Sequence, residues 1–192
     1  MITAYRRVLP LLALGGLCAA VLLRVRLAGV AGAQSQVAGV WFAVALAAVA
    51  WCTRDPDRLG GALLRPVGYG VAGAVVLCAP AAVRHVVAAR VVLPLDGYLS
   101  WALIVTVVAV AEESLLRGSL FTILEQRHGA AVAVAVTSVA FALLHAPVYG
   151  WAVVPLDLAV GVWLGALRVV SGSVVAPAVA HSLADLAGWW LR

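Results

Sequence analysis

Lysine is absent, and all thirteen basic residues are arginine. Charge of either sign is scarce, at 11% of 192 residues, whereas 65% are hydrophobic and the mean hydropathy is +1.10. Soluble domains carry about 25% charged and about 45–50% apolar residues, so a water-soluble globule is excluded and a polytopic membrane protein is indicated. The missing lysine, with the richness in Ala, Val, Gly and Leu, reflects a GC-rich coding sequence and carries no function. A pI near 9.7 does not imply nucleic acid as a partner. The arginines are scattered between apolar runs, where they anchor segment ends, and they build no basic face.

Cysteine is equally sparse. Cys18, Cys52 and Cys78 each fall in or beside an apolar run and read as small hydrophobes. An odd count argues against a disulfide framework, and their spacing fits no metal or redox motif. The His-Glu-x-x-His helix of many zinc proteases is missing. There is no internal repeat, low-complexity tail or soluble domain. Residues 1–23 resemble a signal sequence, with Arg6 and Arg7 before an apolar stretch, but Leu17 before Cys18 suits cleavage poorly. The stretch is expected to stay as the first span.

What is present is a series of apolar runs near the length of about 20 residues that a spanning helix needs. Spans are expected at about 8–23, 36–52, 67–83, 98–121, 130–145, 153–170 and 174–190. The fold class is therefore all-α, a transmembrane helix bundle of about seven spans (six to eight), with N-terminal helices in 1–97 and a core in 98–192 of one integrated domain. Arg24 and Arg26 mark a turn, Thr53-Arg54-Asp55-Pro56-Asp57-Arg58 a loop, and 84–96 an interfacial helix. Pro147 is a helix-stop signal, and Gly161 and Gly165 permit close helix packing. Trp189 and Trp190 suit the interfacial belt. With the N-terminus inside, seven arginines (Arg6, Arg7, Arg54, Arg58, Arg65, Arg127, Arg168) face five (Arg24, Arg26, Arg84, Arg90, Arg192), a slight bias toward that orientation.

The fourth run breaks this pattern. Residues 98–111 contain no charge, and then Glu112, Glu113 and Arg117 arrive together. Each such group costs roughly 2.5–3.5 kcal/mol near the centre of a spanning helix, and such groups usually turn inward and pair. Glu113 and Arg117 have the spacing and order of a pair on one helix face. Glu112, rotated about 100° away, needs a partner on another helix, a proton or water.

Ionisable residues recur in two later spans. His145 follows Phe141 on one helix face, and His181 and Asp185 share another. A bundle can turn these faces toward one cavity, since intramembrane ionisable groups mark a functional interior. Peptide hydrolysis suits them: a buried Glu112 can act on a water molecule as general base or acid, a histidine can orient that water, and further donors can stabilise the oxyanion. Asp157, just after Pro155, reads as a helix-start acid, and His85 and His128 as solvated loop residues.

Glu112-Glu113-x-x-x-Arg117, Phe141-x-x-x-His145 and His181-x-x-x-Asp185, in that order, resemble the three motifs of the CPBP family, also called Abi or CAAX-protease-like. Gly165, Arg168, Ser171-Gly172-Ser173 and Ala176-Pro177 resemble the approach to its last motif. The resemblance covers about 98–190 and does not extend to the N-terminal spans, 1–97. It implies an intramembrane glutamic endopeptidase with neither cofactor nor metal, in which Glu112 and His145 activate water. His181 and residue 185 would support the oxyanion, while Glu113, Arg117 and Phe141 would brace the site. Asparagine is usual at 185. Asp185 donates only if protonated and otherwise accepts from His181. Expected partners are membrane lipid and a membrane-associated peptide or protein, in a bacterial inner membrane. Prenylated CAAX proteins are one family substrate, and bacterial relatives are linked to peptide maturation, bacteriocin immunity and sorting of surface proteins.

Three other readings use the same residues. A zinc protease would need His145, His181 and a carboxylate as ligands. A catalytically silent immunity or scaffold protein would bind peptides in the same cavity. A proton-coupled transporter would relay protons through Glu112 and the histidines, although repeated halves are lacking.

Overall fold

Inside a bilayer each backbone amide must find its partner within the protein, which leaves an apolar chain of this kind the helix as its element. The computed structural model describes residues 2–31, 35–54, 63–87 and 97–191. The helices are α1 (Ile2–Ala31), α2 (Gln36–Thr53), α3 (Leu64–Val87), α4 (Tyr98–Glu113), α5 (Phe121–His128), α6 (Ala130–Tyr149), α7 (Val154–Ser171) and α8 (Val175–Gly188). A π-helical stretch, Ser114–Leu120, joins α4 to α5 without a break, and no strand occurs among the described residues. The all-α expectation therefore holds. Six helical rods are long and apolar enough to cross a membrane, and α8 is a seventh, shorter one. The protein is an integral membrane protein.

Several boundaries differ from expectation. α1 does not turn at Arg24 and Arg26 but continues to Ala31. α3 reaches Val87, so the first part of the expected interfacial segment extends a span. α6 runs past Pro147 to Tyr149, because a proline in the final turn removes only one amide from the ladder. The helix stops at Gly150, whose φ of 88° is open to glycine and closed to most other residues. The loop residues at 55–58, and 88–96 of the expected interfacial helix, lie outside the described residues.

The rods pack through small residues. A Cβ at Gly161 would stand 2.9 Å from Ser138 Cα, and one at Gly165 3.0 Å from a Val134 methyl, so α6 and α7 meet nearly backbone to backbone, as the glycine spacing implied. α3 approaches α8 likewise, with Gly70 facing Val179 and the Ala176 carbonyl. Phe42, Leu46, Leu115, Leu116, Leu120, Phe121, Phe141 and Leu164 fill the centre. Large apolar side chains such as Leu11, Val75, Leu103 and Val170 point outward, as lipid contact requires.

The rod from Tyr98 to His128 faces lipid over much of its first half, where Leu99, Leu103 and Val107 are exposed, and is mostly buried in the bundle over 111–124. Its N-terminal end lies beside the start of α2, where Gln36 Nε2 donates to Ser100 Oγ at 3.3 Å. It also meets the end of α8, where Tyr98 and Trp101 cluster with Trp189 and Trp190. The ends of α1 and α6 meet as well, through Arg24 and Tyr149. These helix ends gather at one end of the bundle.

Candidate active site

The residues that the bilayer would reject are the ones this rod turns inward. Glu113 closes α4 and Arg117 follows within the π-helical stretch, and both are at 0% exposure. Arg117 Nη1 donates to Glu113 Oε1 at 2.7 Å, and Nη2 donates to the Gly161 carbonyl at 2.9 Å. The close approach of α6 and α7 thus also carries an acceptor for the guanidinium. Arg168 Nε donates to the Arg117 carbonyl at 3.0 Å, supplying a partner in a stretch that departs from the α-helical hydrogen-bond pattern. Ser119 Oγ donates to the Ala50 carbonyl at 2.9 Å and ties the same stretch to α2.

His181 comes from α8 and shares this anchor, its Nδ1 lying 3.1 Å from the Glu113 oxygen that also holds Arg117. A donor at Nδ1 fixes the ring and leaves Nε2 facing Asp185 Oδ2 at 3.5 Å and Glu112 Oε2 at 4.0 Å. Asp185 is 34% exposed at the rim, one helical turn from His181. Glu112 is only 2% exposed. Its other oxygen, Oε1, lies 3.8 Å from Arg24 Nη1 on α1 and accepts no hydrogen bond.

Phe141 connects the histidines. Its ring lies under the Arg117 guanidinium at 4.8 Å and meets His145 and His181 edge to face at 4.8 and 5.4 Å. Its carbonyl accepts from His145 Nδ1 at 2.9 Å, which leaves the His145 Nε2 as the free acceptor. His145 Nδ1 also faces Asp157 Oδ2 at 3.7 Å, and the ring stacks on Tyr149.

α4 with its π-helical continuation, α6 and α8 therefore bring Glu112, Glu113, Arg117, Phe141, His145, His181 and Asp185 together. Glu112 finds the partners it lacked on its own helix, His181 on α8 and Arg24 on α1. The carboxylate nearest His145 is that of Asp157, 3.7 Å from Nδ1, and no such contact joins His145 to Glu112 among the described residues. Asp157 does occupy the first turn of α7, but it faces the site. Arg24 and Arg168, taken as segment anchors, are inside the bundle. The arginine comparison loses one from each side and its bias stays slight. Tyr149 joins too, and no sequence feature singled it out. Among the described residues no group of three or more His, Cys, Asp or Glu is placed to hold a metal ion. None of the three cysteines forms a disulfide.

No curated protein and no solved structure matches the chain. Residues 94–187 match the family described as type II CAAX prenyl endopeptidase Rce1-like, a segment holding every expected site residue. The chain belongs to this CAAX-protease-like family of intramembrane proteases.

Proposed function

We propose that the protein is an intramembrane glutamic endopeptidase that hydrolyses a peptide bond of a membrane-associated protein or peptide, with Glu112 as the residue that activates water. One observation carries the reading: a carboxylate only 2% exposed keeps one oxygen without a hydrogen bond while the other faces a histidine at 4.0 Å. Glu113 also has one oxygen, Oε2, without a hydrogen bond, but its Oε1 is held directly by both Arg117 and His181, which leaves Glu112 as the acid that no direct bond holds and that can work on a ligand.

In this reading a water between Glu112 and the free His145 Nε2 gives a proton to Glu112 as its oxygen adds to the substrate carbonyl carbon. The carbonyl π electrons move to its oxygen, which takes up the negative charge. With Nδ1 donating to Glu113, a doubly protonated His181 also carries an N–H at Nε2, which faces Glu112 and Asp185 from beyond hydrogen-bond length and can donate to the oxyanion. A preorganised donor of this kind is worth about 3–4 kcal/mol in a site without bulk water. Collapse of the intermediate breaks the C–N bond, and the proton on Glu112 passes to the departing amine. Asp185 orients His181 from the rim, while Glu113, Arg117 and Phe141 brace both histidines. We place this activity in a bacterial inner membrane, with lipid around the bundle and no metal in the reaction.

Mass spectrometry of membrane and secreted peptides from cells carrying the parent or Glu112→Gln tests the reading. New peptide termini should appear with the parent alone. Identical termini in both, with the variant folded and membrane-inserted, would remove Glu112 from the chemistry.

A further inference from the structure

We infer that Arg24, on a helix outside the family-matching segment, is a positioning residue for this reaction, holding Glu112 and keeping a positive charge beside it while the proton moves. The inference rests on the protease reading above and adds a residue from α1 to it.

Arg24 is built into the site. Its Nη2 donates to the Tyr149 hydroxyl at 3.1 Å, and its guanidinium lies over the rings of Phe42 at 4.7 Å and Tyr149 at 5.8 Å. Arg26, two residues further on, is exposed, as a helix-end anchor should be. Arg24 has instead a side-chain exposure of 13% and points Nη1 at Glu112 Oε1 from 3.8 Å. That separation exceeds hydrogen-bond length, so the carboxylate is faced by a charge without being closed off by a direct bond. Glu113 shows the contrasting case, held by its arginine at 2.7 Å.

The distinction fits the chemistry. A base locked to a guanidinium by a direct bond would surrender the oxygen that must take a proton. A base 3.8 Å from a steered guanidinium keeps the oxygen and the counter-charge. When the proton reaches Glu112, the negative charge passes to the substrate oxygen, while Arg24 keeps its place beside the carboxyl. The Phe42 ring and the ring and hydroxyl of Tyr149 hold the cation in place, so little reorganisation is needed. Tyr149 stacks on His145 as well, which couples the placement of Arg24 to the second histidine.

Steady-state kinetics on a membrane-reconstituted peptide substrate test this. Arg24→Gln removes the charge and should lower kcat by about 100-fold with KM within about threefold, the pattern of a lost electrostatic partner in the transition state. Arg24→Lys restores a charge and should recover about tenfold of that loss. Parent kcat in a folded Arg24→Gln overturns the inference, and so do equal losses in folded Gln and Lys variants or a change confined to KM. If Arg24→Gln does not fold, Tyr149→Phe decides: it removes the hydroxyl that steers the guanidinium, and kcat should fall by about threefold or more. An unchanged kcat there overturns the inference. Glu112→Gln run in parallel separates the failures: an active Glu112→Gln sinks the protease reading, whereas an inactive one beside a fully active Arg24→Gln sinks only the role of Arg24.

Discussion

The three N-terminal helices and the rods that follow are comparably apolar, yet they bury different things. In residues 2–87 the buried set is almost entirely hydrophobic, with Thr53 the polar exception among the described residues. In residues 97–191 it includes Glu112, Glu113, Arg117, Ser119, Thr122, Thr137, Ser138, Arg168, His181 and Ser182. Hydropathy finds the spans in both regions alike. Only the burial of charge tells which region holds chemistry and which forms a wall. The wall is not passive, since α1 sends Arg24 to Glu112 and α2 offers the Ala50 carbonyl to Ser119.

The contrast predicts where substitutions are felt. Arg117→Met, in the charged region, should have the largest effect on folding, because it leaves Glu113 buried beside His181 without its guanidinium. Breaking a buried pair from one side costs about 3–5 kcal/mol, so thermal unfolding in detergent should show a strongly lowered midpoint or no folded protein. Gly161→Ala comes next. Its new Cβ meets the Ser138 backbone 2.9 Å away and pushes on the carbonyl that accepts from Arg117. A loss of about 1–3 kcal/mol is expected from such overpacking. Gly16→Ala in α1 has tighter contacts, 2.6 and 2.7 Å to the two Val49 methyls and 3.2 Å to its Cβ, but all are with one side chain, whereas the clash at Gly161 is with backbone and displaces a partner of Arg117. Its loss, measured the same way, should be the smaller, and a reversed order would break the comparison between the regions.

Much of the site was legible in the sequence because its pairs are local. Glu113 with Arg117, Phe141 with His145 and His181 with Asp185 are each one helical turn apart, so spacing alone puts each pair on one face. That Glu112 needed a partner on another helix followed from the same geometry. Which partner did not, because Arg24 looks like any arginine closing an apolar run. Its inward turn is decided by Tyr149, Phe42 and Glu112, which stand far away in the chain. The π-helical stretch after Glu113 was invisible because no residue type there marks it, and α6 passes Pro147 because a proline in the final turn costs only one amide. Asp157 was recognised as a helix-start acid, but its approach to His145 depends on how α6 and α7 pack.

Two smaller effects sharpen the assignment. Asp157→Asn should lower kcat only a few-fold, about threefold to tenfold, because the Phe141 carbonyl still holds His145 Nδ1. Exhaustive chelation should leave the cleavage rate unchanged, and a rate lost to chelation and restored by zinc would favour the metal-dependent alternative.

The most direct measurement is turnover by purified parent and Glu112→Gln proteins on the same membrane-embedded peptide, with circular dichroism and detergent melting run beside it. The account predicts a variant that folds like the parent and yields no cleavage product. A folded variant that cuts at the parent rate would contradict it.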